Sequence, residues 1–413
     1  MPPVQNTVEV LLARQPILDV RQKVYGYELL YRSAGADSYD GSDAGRATGT
    51  VLANALCVLG LDRVTGGRPA FINFPEGLLD GDFVSALSPE SVVIELLETV
   101  RPTAEVLEQC RALKERGYRL ALDDFSGAPE LEVLAGLADI LKVDFLATGG
   151  EQRRRLAKRY RGRLCLLAEK VETGEEFREA RSLGYELFQG YFFARPSLLR
   201  RKDIPAGKLR LLGLLRELQR EELEFGRVEA LIREEAGLVY KLLRFVNSAA
   251  FHLRSPIENI RHALVLLGEQ QLRRWATIVT MAGMGAGKPE ELVRGVAVRA
   301  HLLEGLAQLC GFGGRAPEFF LVGMLSGMDA LLDCTLEDLL QHLPVTGAMR
   351  RALLAPGGDY EDCEMCSALA LAEACERGDW DRLAQLARRF GVAPAEINRL
   401  YLDALRVADV LSA

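Results

Sequence analysis

Glu28, Asn73, Glu95, Asp123, Asp124, Lys142, Asp144, Glu169 and Gln189 recur at intervals through the first half of a 413-residue chain. Each lies within or at the end of a short apolar run. Carboxylates and an amide gathered at one place would repel unless a cation neutralised them. Ligands made of oxygen alone suit Mg²⁺, Mn²⁺ or Ca²⁺. Such ions bind phosphate esters and acidify a water that can attack phosphorus. A nearby lysine could hold that water or stabilise charge on the transferring group. A single polar residue at a strand end is commonplace, because strands end at the surface. Seven successive strand ends, all drawn from the metal- and phosphate-handling residues, call for a site.

The runs that carry them are VEVLLARQ (8–15), GYELLY (26–31), AFINF (70–74), SVVIEL (91–96), RLALDD (119–124), DILKVD (139–144), LCLLAE (164–169) and YELFQG (185–190). Segments such as ATGTVLANALCVLG and TAEVLEQCRALKERG separate them with apolar residues at helical spacing, the second closed by Gly117. Near-continuous apolar strands alternating with helices predict a parallel sheet covered on both faces. Eight such units within about 200 residues predict a closed β/α barrel, whose strand C-termini share one mouth. The second run follows the first through LDVRQKV, too short for a crossover helix, so one antiparallel pair is expected.

After Pro205 the pattern changes. GKLRLLGLLRELQREEL, LVYKLLRFVNSAAF, IRHALVLLGEQQLRRWATIVTMAG and AEINRLYLDALRVADVL all carry helical periodicity. The fold class is therefore α/β plus all-α: a barrel domain over residues 1–205 and a helical domain over 206–413. RRKDIPAGK reads as the linker between them.

Composition sets the class. Half the residues are apolar and the net charge is −7, which argues against a constitutive nucleic-acid binder. No stretch is long and apolar enough to span a membrane, and the N-terminus lacks the pattern of a secretory signal, so a cytoplasmic location is expected. Eight cysteines fit that compartment as reduced thiols, with Cys57, Cys165 and Cys310 in apolar runs. Cys363 and Cys366 form one CxxC, with no second pair spaced for zinc, and are expected as helix-packed thiols. The four histidines, His252, His262, His301 and His342, show no metal-pair spacing. The basic run RRRLAKRYRGR (153–163) is expected to be a solvated barrel helix, the alternative being a docking surface for an acidic partner.

Several motifs resemble those of the EAL domain across about residues 8 to 200. ARQPILD resembles its opening, and Tyr27-Glu28-Leu29-Leu30-Tyr31-Arg32 the segment that names the family, with leucine in place of alanine. Phe71-Ile72-Asn73-Phe74, Glu95-Leu96-Leu97-Glu98, Leu122-Asp123-Asp124-Phe125 and Leu141-Lys142-Val143-Asp144 resemble its inner motifs. Ala168-Glu169-Lys170-Val171-Glu172 and the segment from Gln189 to Pro196 resemble its last two. The resemblance implies cyclic di-GMP as ligand or substrate, with Mg²⁺ or Mn²⁺. It implies Glu28, Asn73, Glu95 and Asp123 as metal ligands, and Asp124 as a helper for a second ion. Lys142 and Glu169 would position or deprotonate the attacking water, Gln189 would contact the site or ligand, and Arg32 would meet a ligand phosphate. Glu98 would anchor the loop after the fifth strand. The sequence departs from the family at Ser126–Glu130, where a Gly-Thr-Gly loop is usual, at Lys170 in place of glycine, and between Arg32 and Val51.

Leu238–Phe251, followed by Ile257, Ile260, Ala263 and Leu266-Leu267-Gly268, resembles the HDOD signature. HDOD domains resemble HD-type phosphohydrolases without the metal-binding His-Asp pair. In agreement, Asp329 in Leu325-Ser326-Gly327-Met328-Asp329 has no histidine before it. Asn247 and Ser248 are expected to hydrogen-bond within the helical core. The order of the two domains resembles the YuxH-like signalling proteins and implies regulatory protein partners through the second half. EAL domains often dimerise, so a homodimer is a further expectation. Three readings stay open: a degenerate EAL domain that signals through protein contacts under cyclic di-GMP control, an active phosphodiesterase yielding the linear dinucleotide, and a scaffold that binds no nucleotide.

Overall fold

The computed structural model describes residues 10–33, 61–79, 84, 87–192, 206–218, 220, 222–247, 251, 255–284, 288–332, 335–341, 343, 345–354 and 363–412. Cys57, Ser248, His252 and His342 lie outside the described residues. So do the first residues of the opening run, the divergent segment after Arg32, the helix expected at 47–60, the linker before Ala206 and residues 193–196 of the closing motif.

Eight strands close into a barrel in chain order. They are β1 (Val10–Asp19), β2 (Val24–Ser33), β3 (Ala70–Phe74), β4 (Val92–Leu96), β5 (Arg119–Leu122), β6 (Ile140–Asp144), β7 (Cys165–Glu169) and β8 (Leu187–Gln189). β1 is the reversed strand. In a closed barrel it has two neighbours, so the expected single antiparallel pair becomes two, with β2 and with β8. The turn into β2 is built on Asp19, whose Oδ1 accepts from the backbone N–H groups of Arg21 and Lys23 at 2.8 and 2.9 Å.

The period of two along each strand sets both the core and the site. Phe71, Val93, Ala121, Ile140, Leu167 and Leu187, with Ile17, form one buried apolar cluster inside the barrel. Two residues further along the same faces stand Asn73, Glu95, Asp123, Lys142, Glu169 and Gln189. The apolar layer therefore floors the mouth at which the polar residues emerge. Alternate residues, among them Ile72, Ile94, Leu141, Leu166 and Phe188, join the larger cluster beneath the surrounding helices. On β2 the interior position is Gly26, where a Cβ would meet Pro69 O at 2.6 Å and the Phe71 ring at 3.0 Å. Its missing side chain makes room for Phe71.

The barrel helices are capped as their sequences suggest. Thr103 accepts from Val106 N at the start of Ala104–Glu115, and Gly117 follows with φ of 89°. Thr173 and Glu176 form a capping box on Gly174–Leu183. The basic run falls on Gly150–Tyr160, which buries Leu156, Ala157 and Tyr160. Arg153 on that helix pairs with Glu179 at 3.1 Å, and Arg159 with Glu132 at 2.6 Å.

Beyond Ala206 every described element is a helix. Leu214, Val228, Ile232, Leu242, Val246, Ala263 and Trp275 share one core there. The expected long helix Ile260–Met284 is broken at Gly268, with φ of 67° and ψ of 171°. Contacts divide the chain into two compact units that do not follow chain order. One gathers residues 1–195 with 305–313 and 367–406; the other gathers 196–304, 314–366 and 407–413. The helices that the sequence assigns to one C-terminal domain are thus shared, and those of residues 367–406 are grouped with the barrel. The expectation of free thiols at Cys363 and Cys366 is corrected, because the two form a disulfide. Their spacing at the start of the helix Glu364–Arg377 brings the sulfurs together within one turn. Among the described residues no helix is long and apolar enough to cross a membrane.

Candidate active site

Lys142 is the centre of the barrel mouth. Its side chain is fully buried, and its Nζ lies 2.8 Å from Glu95 Oε1, 2.9 Å from Asp123 Oδ1, 2.9 Å from Glu169 Oε1 and 3.5 Å from Glu28 Oε2. β2, β4, β5, β6 and β7 therefore each deliver one charged group to a common point. Amides complete the ring. Asn73 Nδ2 donates to Glu28 Oε1 at 3.3 Å, and Gln189 Nε2 donates to Glu28 Oε2 at 2.7 Å. Gln189 also donates to Gln15 Oε1 at 2.9 Å, across the reversed strand.

Four carboxylates against one ammonium leave a net charge of −3 when all are ionised. Several buried oxygens have nothing to accept from. Asn73 Oδ1, Gln189 Oε1 and Glu95 Oε2 receive no hydrogen bond, while Glu95 Oε1 faces the Lys142 ammonium. Unpaired buried acceptors are costly, and their concentration on an all-oxygen donor set fits a hard divalent cation. Glu28, Asn73, Glu95 and Asp123 are the residues that would hold it.

Electrostatics carry the same signature. Burial drives Glu95 well above the usual carboxylate range; Lys142 opposes this, while Glu28 and Asp123 reinforce it. Glu169 is pushed up to about 8, first by burial, with Lys142 pulling it down and Asp123 and Glu28 pushing it further. Burial acts to lower Lys142, but the surrounding carboxylates, Glu169 foremost, outweigh it and hold the ammonium well above its ordinary value.

A second acidic group adjoins the first. Asp123, Asp124 and Glu169 each place an oxygen within 4.8 Å of the others. Asp124 and Lys170 both adopt left-handed backbone, with φ of 43° and 52°. Lys170 Nζ lies 2.5 Å from Asp144 Oδ2 and 3.9 Å from Asp124 Oδ1. The other oxygen of Asp144 accepts from Leu146 N and Ala147 N at 2.6 and 3.0 Å. Burial acts to raise Asp144, yet these hydrogen bonds and the Lys170 charge bring it below the ordinary value. Asp124 is raised, by burial first and then by Asp123.

Gly190 fixes the geometry behind Gln189. Its φ is 140°, and a Cβ there would lie 2.1 Å from Val171 O. The close approach lets Val171 N donate to Gln189 O at 3.0 Å, tying the ends of β7 and β8 together.

Two expected site residues stand apart. Arg32 Nη1 pairs with Asp381 Oδ1 at 2.7 Å, on the helix Trp380–Phe390. Glu98 is exposed, and among the described residues no hydrogen bond joins it to Ser126–Glu130; its charge acts on Asp124. That loop is instead held by Gln152, which donates to Ser126 O at 2.8 Å. Sequence reasoning passed over Gln15. It bridges Gln189 and, through its own Nε2, Arg377 O at 3.2 Å. Its register opposite Glu28 was the signal available once β1 was read as antiparallel.

Two family models match the chain: the EAL domain over residues 62–196 and the HDOD domain over residues 205–343. The uncharacterized protein YuxH of Bacillus subtilis is 35% identical over 407 residues, 96% of this chain and 98% of that one. CdgJ of Vibrio cholerae, a cyclic di-GMP phosphodiesterase, is 34% identical over 401 residues, 96% of this chain and 91% of that one. Among solved structures, an EAL domain protein of Listeria monocytogenes is 26% identical over 45% of this chain and 87% of its own, with a TM-score of 0.36.

Proposed function

The chain belongs to the YuxH-like family, in which an EAL domain precedes an HDOD domain, and from that premise we propose that it is a divalent-cation-dependent phosphodiesterase opening cyclic di-GMP to the linear dinucleotide. The observation that carries the reading is the convergence of Glu28, Glu95, Asp123 and Glu169 on the Lys142 ammonium, with Asn73 Oδ1 left without a donor beside them. The likeness to CdgJ over nearly its whole length supports the same reaction.

Each residue has a role in this reading. A Mg²⁺ or Mn²⁺ ion held by Glu28, Asn73, Glu95 and Asp123 would supply Lewis acidity at the phosphodiester and lower the pKa of the attacking water. Glu169, whose carboxylate is made more basic by burial, takes the proton of that water. Lys142 holds Glu169 in place and offers positive charge where negative charge grows on the phosphoryl oxygens. Gln189 fixes Glu28 by its hydrogen bond. Arg32 meets a ligand phosphate by exchanging Asp381 for it. The helical HDOD part has no chemistry and contacts regulatory proteins.

A second reading, a receptor that binds cyclic di-GMP without turnover, is favoured by Lys170, which sets an ammonium against Asp124 and Asp144. Incubation of the full chain with cyclic di-GMP and Mn²⁺ separates the two. Linear product that disappears in Glu28→Ala supports the phosphodiesterase. Binding without product supports the receptor, and absence of both overturns each.

A further inference from the structure

We infer that the Lys170 ammonium fills the place of a second cation, so that the barrel mouth takes one divalent ion rather than two. The inference rests on the proposed metal site at Glu28, Asn73, Glu95 and Asp123.

The mouth presents two acidic groups. The first surrounds Lys142 and includes the unpartnered Oδ1 of Asn73. The second is the triad Asp123, Asp124 and Glu169, with an Asp124 oxygen that is buried and accepts no hydrogen bond. Carboxylates that close would ordinarily admit a cation of their own. Here a cation is already tethered to the chain. Lys170 directly follows Glu169, and Asp144 stands opposite Glu169 across β6 and β7. The lysine thus emerges beside Asp144 and reaches its Oδ2 at 2.5 Å, with Asp124 Oδ1 at 3.9 Å.

Asp144 is a fixed anchor, because its other oxygen is tied to two backbone N–H groups. Asp124 and Asp144 together carry the charge of one divalent ion, and Lys170 cancels half of it. A second ion coordinated by Asp124 would sit within a few ångströms of the ammonium and repel it, although the Lys170 side chain is half exposed. It would bind only by displacing Lys170 from Asp144. The ammonium offers charge without Lewis acidity or coordination sites, so the chemistry falls to the Lys142 cluster.

Metal stoichiometry tests the inference without recourse to turnover. The full chain is dialysed against Mn²⁺, bound metal is counted by elemental analysis, and electron paramagnetic resonance reports whether neighbouring ions couple. Wild type is expected to bind one tight ion with an uncoupled spectrum. Lys170→Gly and Lys170→Met are expected to bind two, the second at least tenfold tighter than in wild type. Lys170→Arg, which keeps the charge, is expected to stay at one. Lys170→Met retains the side-chain stem should the glycine variant fail to fold, and circular dichroism checks both. Two comparable ions in wild type, or one ion in the folded methionine variant, overturn the inference while leaving the proposed phosphodiesterase standing. No ion in wild type overturns both.

Discussion

Two asparagines divide the molecule into a part organised for packing and a part organised for a ligand. Asn247, in the helical unit, spends every group it has on its own chain. Its Nδ2 donates to Leu243 O and to Ile257 O, both at 2.8 Å, and its Oδ1 accepts from Ile257 N at 2.7 Å. Asn73, at the barrel mouth, donates to Glu28 and leaves Oδ1 buried with no donor. The same side chain closes a helix terminus in one place and waits for a partner in the other. Folding alone would favour the first solution, since a half-satisfied polar group in a core is expensive. The barrel bears that cost at Asn73, beside the Glu28 carboxylate. The difference teaches that unsatisfied acceptors gathered at one mouth, on Asn73, Asp124 and Gln189, mark the site, where single such atoms at Thr280 or His301 do not.

Substitutions at the barrel mouth should separate stability from activity. Glu28→Ala and Glu95→Gln should each lower turnover of cyclic di-GMP by about a thousandfold, the usual scale for losing an essential charge-handling group. Glu95→Gln should also leave the metal-free protein as stable as wild type or more so, because it removes one of four like charges crowded around a single ammonium. Asn247→Ala should do the reverse. It strands the Ile257 carbonyl and N–H, while Leu243 O keeps the Asn247 backbone N–H, and should cost about 1 kcal/mol in denaturant titrations, with turnover of the folded fraction unchanged. A Glu95→Gln protein that melts well below wild type would break the contrast.

Acidity sharpens it further. Glu169 has its folded pKa raised to about 8, against an unfolded value near 4.5. The folded state therefore holds a proton that the unfolded state releases between those values. The stability linked to Glu169 is fully present below pH 4.5 and is lost as pH rises to about 8. The slope is at most about 1.4 kcal/mol per pH unit for one proton. Lys142, Asp123 and Glu28 are the charges that face it. Thermal melts from pH 5 to 8 in chelator should follow this fall, and saturating Mn²⁺ should flatten it by replacing the proton with a cation. Glu169→Gln should make the fall in chelator shallower, leaving the part carried by Glu95, whose carboxyl is also raised by burial. A metal-free slope unchanged in Glu169→Gln would show that another group carries it.

Much of the barrel was legible in the sequence because a strand buried on both faces writes a continuous apolar run and ends in a polar residue. The two-residue period that turns Ile140 and Leu167 inward also turns Lys142 and Glu169 inward, so types and positions could be read together. What could not be read depended on contacts far apart in sequence. Helical periodicity marked residues 367–406 as helices but not which core they serve. The CxxC at Cys363 and Cys366 gave the spacing, while compartment and composition argued for thiols rather than the disulfide that is found. Gly268 sat inside a helical pattern, and only its positive φ shows the break. Lys170 was legible as a departure, but its partners Asp124 and Asp144 come from other strands.

The smallest expected effect concerns Arg32, whose partner lies 349 residues away. Asp381 Oδ1 accepts from its Nη1 at 2.7 Å, Asn398 Oδ1 accepts from Leu12 N at 2.9 Å, and Arg377 O accepts from Gln15. The helices of residues 367–406 thus meet β1 and β2, the strands that carry Gln15, Glu28 and Arg32. Arg32 is 27% exposed and Asp381 90%, so water screens the pair, and it is worth at most about 1 kcal/mol. If Arg32 must leave Asp381 to meet a phosphate, Asp381→Ala should tighten cyclic di-GMP binding by no more than about fivefold, with kcat unchanged. The gain should shrink as salt rises, because salt weakens the competing pair in wild type. Arg32→Ala should weaken binding and erase the effect of Asp381→Ala in the double variant. Additive effects in that cycle, read by calorimetry at low and high salt, would detach Asp381 from the ligand altogether. Asp381 would then stand with Asn247, among the residues that serve the fold alone.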